Sequence, residues 1–303
     1  MFARLDGAGH DDELAALATQ SVGASHSSYA YAGGQWGLAT DAAAQVAAYR
    51  PDLLAAPPRD WAEVLDLAAD GRVLWPYKPV DAFSSLITVA AGAGEEPMRR
   101  PGTFLSPDAL AAAMETLRRL ARLVPDDNGA WNPIQAADAL AESDRFAYVP
   151  LLFGYTNYSR PGFRRRRLQY IDIPASDRGV RGSLLGGAGI AVSARTRHLD
   201  QAITHAYWLA SAPVQEGIYF DGGGQPGNAV AWENDRTNAE TLDFFRGTRA
   251  TLEGAYVRPR HPQYIEVQNA LSPLVTEALR GALTDDRLGE RLDAGVQEWL
   301  VQA

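Results

Sequence analysis

Two stretches of this 303-residue chain set aromatic rings beside amide and carboxylate groups. VPLLFGYTNYS carries Phe153, Tyr155, Asn157 and Tyr158 after an apolar run, and WPYKPVDAFSS carries Trp75, Tyr77, Asp81 and Phe83 in a proline-punctuated turn. Rings of this kind cover the apolar C–H face of a pyranose, while amides and carboxylates bond its rim of hydroxyls. Either stretch alone is more often core packing, because large aromatic residues are usually buried. Two of them in loops that follow strands favour a carbohydrate-type site.

Other chemistry is weakly supported. The five histidines, at 10, 26, 198, 205 and 261, lack the i,i+4 or short-loop spacing that brings two imidazoles to one metal ion, so neither a metal nor another cofactor is expected. A Ser-His-Asp triad needs only convergence in space, but no GxSxG turn marks a nucleophile. GGGQPG matches G-x-G-x-x-G at Gly222, Gly224 and Gly227. A helix leads into it where a dinucleotide site needs a strand, and Pro226 removes a backbone donor, so it reads as a loop. The arginine run at 164–167 reads as a solvated edge that discourages aggregation, with a grip on an anion as the alternative.

The bulk composition narrows the class. With 46% hydrophobic and 21% charged residues, the chain can bury a large core in one or two domains. A net charge of -9 gives no general attraction to phosphate backbones, so nucleic acid is not expected as a partner. No apolar run reaches the roughly 20 residues of a membrane helix. The opening MFARLDGAGHDDELAALA lacks the basic region, apolar block and cleavage site of a signal peptide. Cysteine is absent, which excludes disulfides and thiolate chemistry but fits either redox compartment.

The elements that must position these residues alternate in period. PRDWAEVLDLAADG predicts a helix with Asp60 as N-cap, Glu63 three residues on, an apolar face of Trp61, Val64, Leu65 and Ala68, and Gly71 past its end. SPDALAAAMETLRRLARL repeats that grammar from Ser106, with Leu110, Met114, Leu117 and Leu120 as its stripe. RVLWPY, RFAYVPLLF, LQYIDI and GIAVSA read as strands from their aromatic and β-branched content. Strands interleaved with helices predict an α/β protein. Further helices are expected over HLDQAITHAYWLAS, over YIEVQNALSPLVTEALRG with a kink at Pro273, and at the end, where Leu288, Leu292, Val296 and Trp299 align.

The order of segments resembles the family 1 extracellular solute-binding proteins, the sugar-binding components of ABC importers. YAYAGGQWGLATDAAAQVAAYRPDLLAAPPRDWAEVLDLA is similar to the family's hinge strand and following helix, with matches at Tyr49, Arg50, Asp52, Leu53, Leu54, Pro57, Pro58, Trp61 and Glu63. GGAGIAVSARTRHLDQAITHAYWLASAPVQ, GGGQPG and YVRPRHPQYIEVQNALSPLVTEALRG follow in the family's order, so the resemblance runs from about Tyr29 onward. It departs at the front: the family's signal peptide and early strands are not seen before Tyr29, and Ala39 replaces a frequent proline. A downstream start or a fragment, with part of the first sheet missing and apolar surface left open, is the corresponding expectation.

The resemblance implies a type II periplasmic binding protein-like α/β fold of two lobes. The first lobe is expected over residues 1–41 and 188–255 and the second over 42–187 and 256–303, with Gly186 and Gly187 giving close-approach, flexible backbone at a hinge. It also implies a non-enzymatic protein that binds a sugar or oligosaccharide between the lobes and presents it to permease subunits, as a monomer if the first lobe were complete. Carried over residue by residue, the ligand-binding set is Asp41, Gln45, Asp81, Phe83, Tyr155, Asn157, Gly187, Gln225 and Gln268. Tyr155 and Phe83 would stack on a sugar ring; Asp41, Asp81, Asn157, Gln225 and Gln268 would bond its hydroxyls. A periplasmic or extracellular location follows from the resemblance, and a cytoplasmic form from the missing export address. The competing readings are a carbohydrate-active hydrolase with Asp41 and Asp81 about 5 to 9 Å apart, and a truncated, non-functional remnant.

Overall fold

A computed structural model describes residues 1–300. In chain order the strands are β1 (Ala30–Tyr31), β2 (Gly34–Gln35), β3 (Leu38–Ala39), β4 (Ala43–Tyr49), β5 (Tyr148–Phe153), β6 (Gln169–Ile171), β7 (Leu185–Gly186) and β8 (Gly189–Ile190). The helices are α1 (Asp11–Thr19), α2 (Trp61–Ala69), α3 (Pro79–Ala93), α4 (Pro107–Leu123), α5 (Pro133–Glu142), α6 (Leu199–Ala210), α7 (Ala212–Val214), α8 (Ala229–Glu233), α9 (Asp235–Glu240), α10 (Phe244–Gly247), α11 (Arg249–Glu253), α12 (Tyr264–Leu279) and α13 (Asp285–Leu300).

The central strand explains the larger body. β4 runs antiparallel between β5 and β6 and also pairs with β7. Its sequence AAQVAAY is apolar on both faces, as a strand covered on both sides requires. Ala47 and Tyr49 point into a core shared with α2, α3, α4, α12 and α13, while Ala44, Val46 and Ala48 point into a second core with Leu140, Trp232, Phe244 and Phe245. Every second residue thus serves one core, the period of a pleated strand.

Local signals read from the sequence recur in the helices. The Asp60 side chain accepts the Glu63 N–H at the start of α2, and the Ser106 hydroxyl accepts the Ala109 N–H at the start of α4. α12 continues through Pro273, and the Ser272 hydroxyl donates to the Gln268 carbonyl one turn back. The stripe of α13 is buried at Leu288, Leu292 and Val296, while the Trp299 side chain lies outside the described residues.

A smaller body is assembled from the start of the chain, through β3, and from the segment that begins at β8. Leu5, Leu38, Val192, Ile203, Ala206, Tyr207 and Ala210 form its core, with Leu14 and Leu17 of α1 packed against them. The Tyr207 hydroxyl donates to the Leu5 carbonyl across 2.9 Å.

Four expectations need correction. Residues 229–255, assigned from sequence to the first lobe, pack instead on the β4–β6 sheet: Trp232, Phe244, Phe245 and Leu252 are buried in the second core of the larger body. RVLWPY forms only an isolated bridge, Val73 with Tyr148, because its apolar residues are demanded by burial and not by a ladder. GIAVSA contributes only the two residues of β8. The arginine run is no free edge either. Arg164, Arg165 and Arg166 pair with Asp138, Asp144 and Asp52, and Arg167 donates to the Ser159 and Glu240 carbonyls, stitching the loop after β5 to its neighbours.

Candidate ligand-binding cleft

Two chain segments cross side by side between the two bodies. One runs from β3 through Asp41 into β4, the other from β7 through Gly187 into β8, and the strands pair antiparallel on either side of the crossing. The Thr40 and Asp41 N–H groups both donate to the Ala188 carbonyl at 3.0 Å. Gly187 has φ +113, and a Cβ there would lie 2.5 Å from the Asp41 carbonyl oxygen, so only glycine permits this approach. The close-approach role expected for Gly187 is met in this geometry.

Asp41 is the polar centre of the crossing. Burial pushes its carboxyl up to about 7, and Oδ1 has no hydrogen-bond partner. Its charge is felt by three tyrosines whose hydroxyls are raised first by burial: Tyr29 before β1, Tyr155 after β5, and Tyr219 before the GGGQPG loop. Gly227 of that loop passes so close that a Cβ would lie 3.0 Å from the Asp41 nitrogen.

Asp81 approaches from the larger body. It lies in the first turn of α3, behind Pro79, and burial pushes its carboxyl up to about 6 against the opposing charge of Lys78, whose Nζ is 4.0 Å away. Its Oδ2 is buried and faces Lys78 at that distance without accepting a hydrogen bond. Tyr155, with a 42% exposed ring, is raised first by burial and then by the charges of Asp81 and Asp41, so its hydroxyl lies within electrostatic range of both. Asn157 stands two residues on, with its Oδ1 3.7 Å from where a Cβ on Gly223 would be.

A third portion of the cleft comes from the entry to α12. Tyr29, Arg258, Arg260, His261 and Tyr264 line a cavity of about 440 Å³ between the residue 28–31 loop and this segment. The Tyr264 hydroxyl, His261 Nε2 and Gln268 Oε1 are buried without a partner. Arg258 and Arg260 act on Tyr29 against Asp41, so Tyr29 joins the acidic crossing to this basic end.

The sequence-derived site residues thus separate into two groups. Asp41 and Gly187 form the crossing, Asp81 and Tyr155 lie within range of its charge, Asn157 lies beside the GGGQPG loop, and Gln268 sits on α12; Asp41, Asp81 and Gln268 each keep an oxygen without a hydrogen bond. Phe83, Gln45 and Gln225 are committed to the protein itself. Phe83 is fully buried in the core, its ring 5.5 Å from that of Phe104, so it cannot stack on a ligand. Gln45 is buried between β4 and α3, donating to Ser85 Oγ and accepting from Thr88 Oγ1. Gln225 spends both ends of its amide on backbone, accepting the Thr156 N–H at 3.0 Å and donating to the Ala42 carbonyl at 3.1 Å, so it works as a latch on the hinge.

Tyr29, Tyr219, Arg258, Arg260, His261 and Tyr264 were not reached by sequence reasoning. The signal for Arg258, Arg260 and His261 is RPRHP, two arginines flanking Pro259 in an acidic protein.

Comparison with solved structures shows the same fold across nearly the whole chain. The maltose-bound MalE3 of T. maritima superposes with a TM-score of 0.80 at 16% identity, covering 98% of this chain and 80% of that one. The GacH receptor of Streptomyces glaucescens, known unliganded and with acarbose, gives 0.77 at 16% identity over 99% and 79%. A solute-binding protein of Agrobacterium radiobacter in complex with ribitol gives 0.77 at 20% identity over 95% and 77%. The two bodies and their crossing are therefore the two lobes and hinge of the type II periplasmic binding protein fold. A family pattern described as bacterial extracellular solute-binding protein matches residues 1–242.

Proposed function

This chain belongs to the bacterial extracellular solute-binding proteins, and from that premise we propose that it binds a carbohydrate in the cleft between its lobes and presents it to the permease of an ABC importer. The observation that carries the reading is a set of buried oxygens, Asp41 Oδ1, Asp81 Oδ2 and Gln268 Oε1, that accept no hydrogen bond among the described residues, Asp81 having only the distant Lys78 ammonium at 4.0 Å. A buried acceptor left unpaired costs about 1–3 kcal/mol, more when charged. A ligand rich in hydroxyl donors removes that penalty. Tyr155, exposed and within electrostatic range of the two carboxylates, supplies the flat apolar face that a sugar ring covers.

The first lobe in this reading comprises residues 1–41 and 188–228, and the second 42–187 and 229–300. Closure turns about the paired crossings at Asp41 and Gly187, with the Gln225 latch holding the start of β4 to the loop after β5. The protein acts outside the cytoplasmic membrane and performs no chemistry on its ligand. Relatives of the same fold bound to maltose, acarbose and ribitol support the polyhydroxylated class of ligand.

The test is a thermal-shift panel of neutral and acidic mono- and disaccharides and polyols, with each mixture analysed for products. One class of sugar should raise the melting temperature and be recovered intact, as for a ligand that binds only the folded state. Conversion of a sugar, or no shift with any member, overturns the reading.

A further inference from the structure

The basic end of the cleft presents two cations that a neutral sugar would leave without a counter-charge. Arg258 and Arg260 flank Pro259 on the wall of the 440 Å³ cavity, and neither makes an ion pair among the described residues. Their neighbours behave differently: Arg99 and Arg100, which share a second cavity with Arg260 and His261, are held by Glu96 and Glu95. Arg258 lies with its guanidinium carbon 5.9 Å from the centre of the Tyr264 ring and reaches one backbone carbonyl, that of Leu185, at 3.4 Å. Two guanidinium groups brought together without a carboxylate repel each other unless an anion joins them.

Two further groups converge there. His261 Nδ1 accepts a hydrogen bond from the Gln263 backbone N–H at 3.2 Å, which leaves Nε2 as the ring's N–H donor, and this Nε2 is buried without a hydrogen bond among the described residues. The Tyr264 hydroxyl is likewise buried and unpartnered. Both residues line the same cavity as the two arginines. Beyond Tyr29 lies Asp41, so the cleft is acidic at the crossing and rich in cationic and neutral donors at the entry to α12.

Resting on the carbohydrate-binding reading, we infer that the ligand is an anionic sugar whose carboxylate or phosphate is received by Arg258, Arg260 and His261 Nε2, while its hydroxyls face Asp41. The planar donor fork of arginine suits either oxyanion. The charge of the site also opposes the overall charge of the protein, -9, which would otherwise repel such a ligand. Partial enclosure, and then the charge of Arg258, hold Arg260 below the ordinary arginine range, the behaviour of a cation without its counter-ion.

The experiment is calorimetric titration of the intact protein with D-galactose, maltose, D-galacturonate, D-glucuronate, glucose 1-phosphate and inorganic phosphate, each at low and high salt. One acidic sugar should bind at least tenfold more tightly than any neutral one, with an affinity that falls as salt rises. Uronates and glucose 1-phosphate are separate arms, so the preferred arm identifies the oxyanion. Arg260→Gln and Arg258→Gln, with their unliganded melting temperatures measured as a check on folding, should each collapse the acidic-to-neutral affinity ratio toward one. Neutral sugars binding as tightly as acidic ones would overturn the anionic assignment and leave carbohydrate binding standing. Binding of inorganic phosphate but of no sugar, or of nothing at all, would overturn both.

Discussion

Gly187 and Asp41 touch through backbone alone: a Cβ on Gly187 would sit 2.5 Å from the Asp41 carbonyl oxygen, and φ at Gly187 is +113. The two crossings between the lobes are therefore held at a separation that only glycine allows. Gly187→Ala should destabilise the protein by about 1–3 kcal/mol, from backbone strain together with the displaced crossing. Denaturant unfolding measures this, and an unchanged midpoint would show that the crossings relax freely.

Asp41 carries a pH dependence whose sign is opposite to that of a paired carboxylate. Burial raises its folded-state pKa to about 7, above the value near 4 of an unfolded chain. Between those values the folded state binds the extra proton, so stability falls as pH rises through this window and the penalty is complete above about 7. At about 1.4 kcal/mol per unit, the effect is on the order of a few kcal/mol. Asp41→Asn should flatten the slope, raise the melting temperature at pH 8, and weaken sugar binding. A variant with the wild-type slope would place the titration elsewhere.

Ligand binding should follow the same group in reverse. Sugar hydroxyls donate to the ionised carboxylates, so a bound sugar lowers the pKa of Asp41 and of Asp81, which burial raises to about 6. Affinity for a neutral sugar is expected to rise between pH 5 and pH 8 with release of protons, read by titration in buffers of different ionisation enthalpy. A flat profile would mean that neither carboxylate contacts the ligand.

Tyr155 and Phe83 should separate binding from folding. Tyr155→Ala should weaken sugar binding by about 1–3 kcal/mol, roughly 5- to 150-fold in Kd, with little change in melting temperature. Phe83→Ala should instead cost about 3–5 kcal/mol of stability, because its ring is fully buried. Equal losses of stability in the two variants would return Tyr155 to the core.

The contrast between those two aromatics shows what the sequence made legible. Asp81 and Phe83 were read together as parts of a loop, from which both could face a ligand. α3 begins at Pro79, and at about 100° per residue the two side chains leave the helix in nearly opposite directions. Asp81 shares its side with Ser85 and Thr88, which bond Gln45, and Phe83 turns into the core. Caps at Asp60 and Ser106 were readable because they are local chemistry. The placement of residues 229–255 was not, because Trp232, Phe244 and Phe245 could have packed on either lobe and only the tertiary arrangement chose. Gln225 was expected to offer a free amide, since nothing local reveals that Thr156 and Ala42 take both its ends.

The most direct measurement is calorimetric titration of the wild-type protein with the sugar selected by thermal shift, repeated on Asp41→Asn, with the recovered sugar examined for change. Carbohydrate binding in this cleft requires one site per chain, an intact sugar afterwards, and an affinity at least tenfold weaker in the variant. Equal affinity in both proteins, altered sugar, or no saturable heat would contradict it.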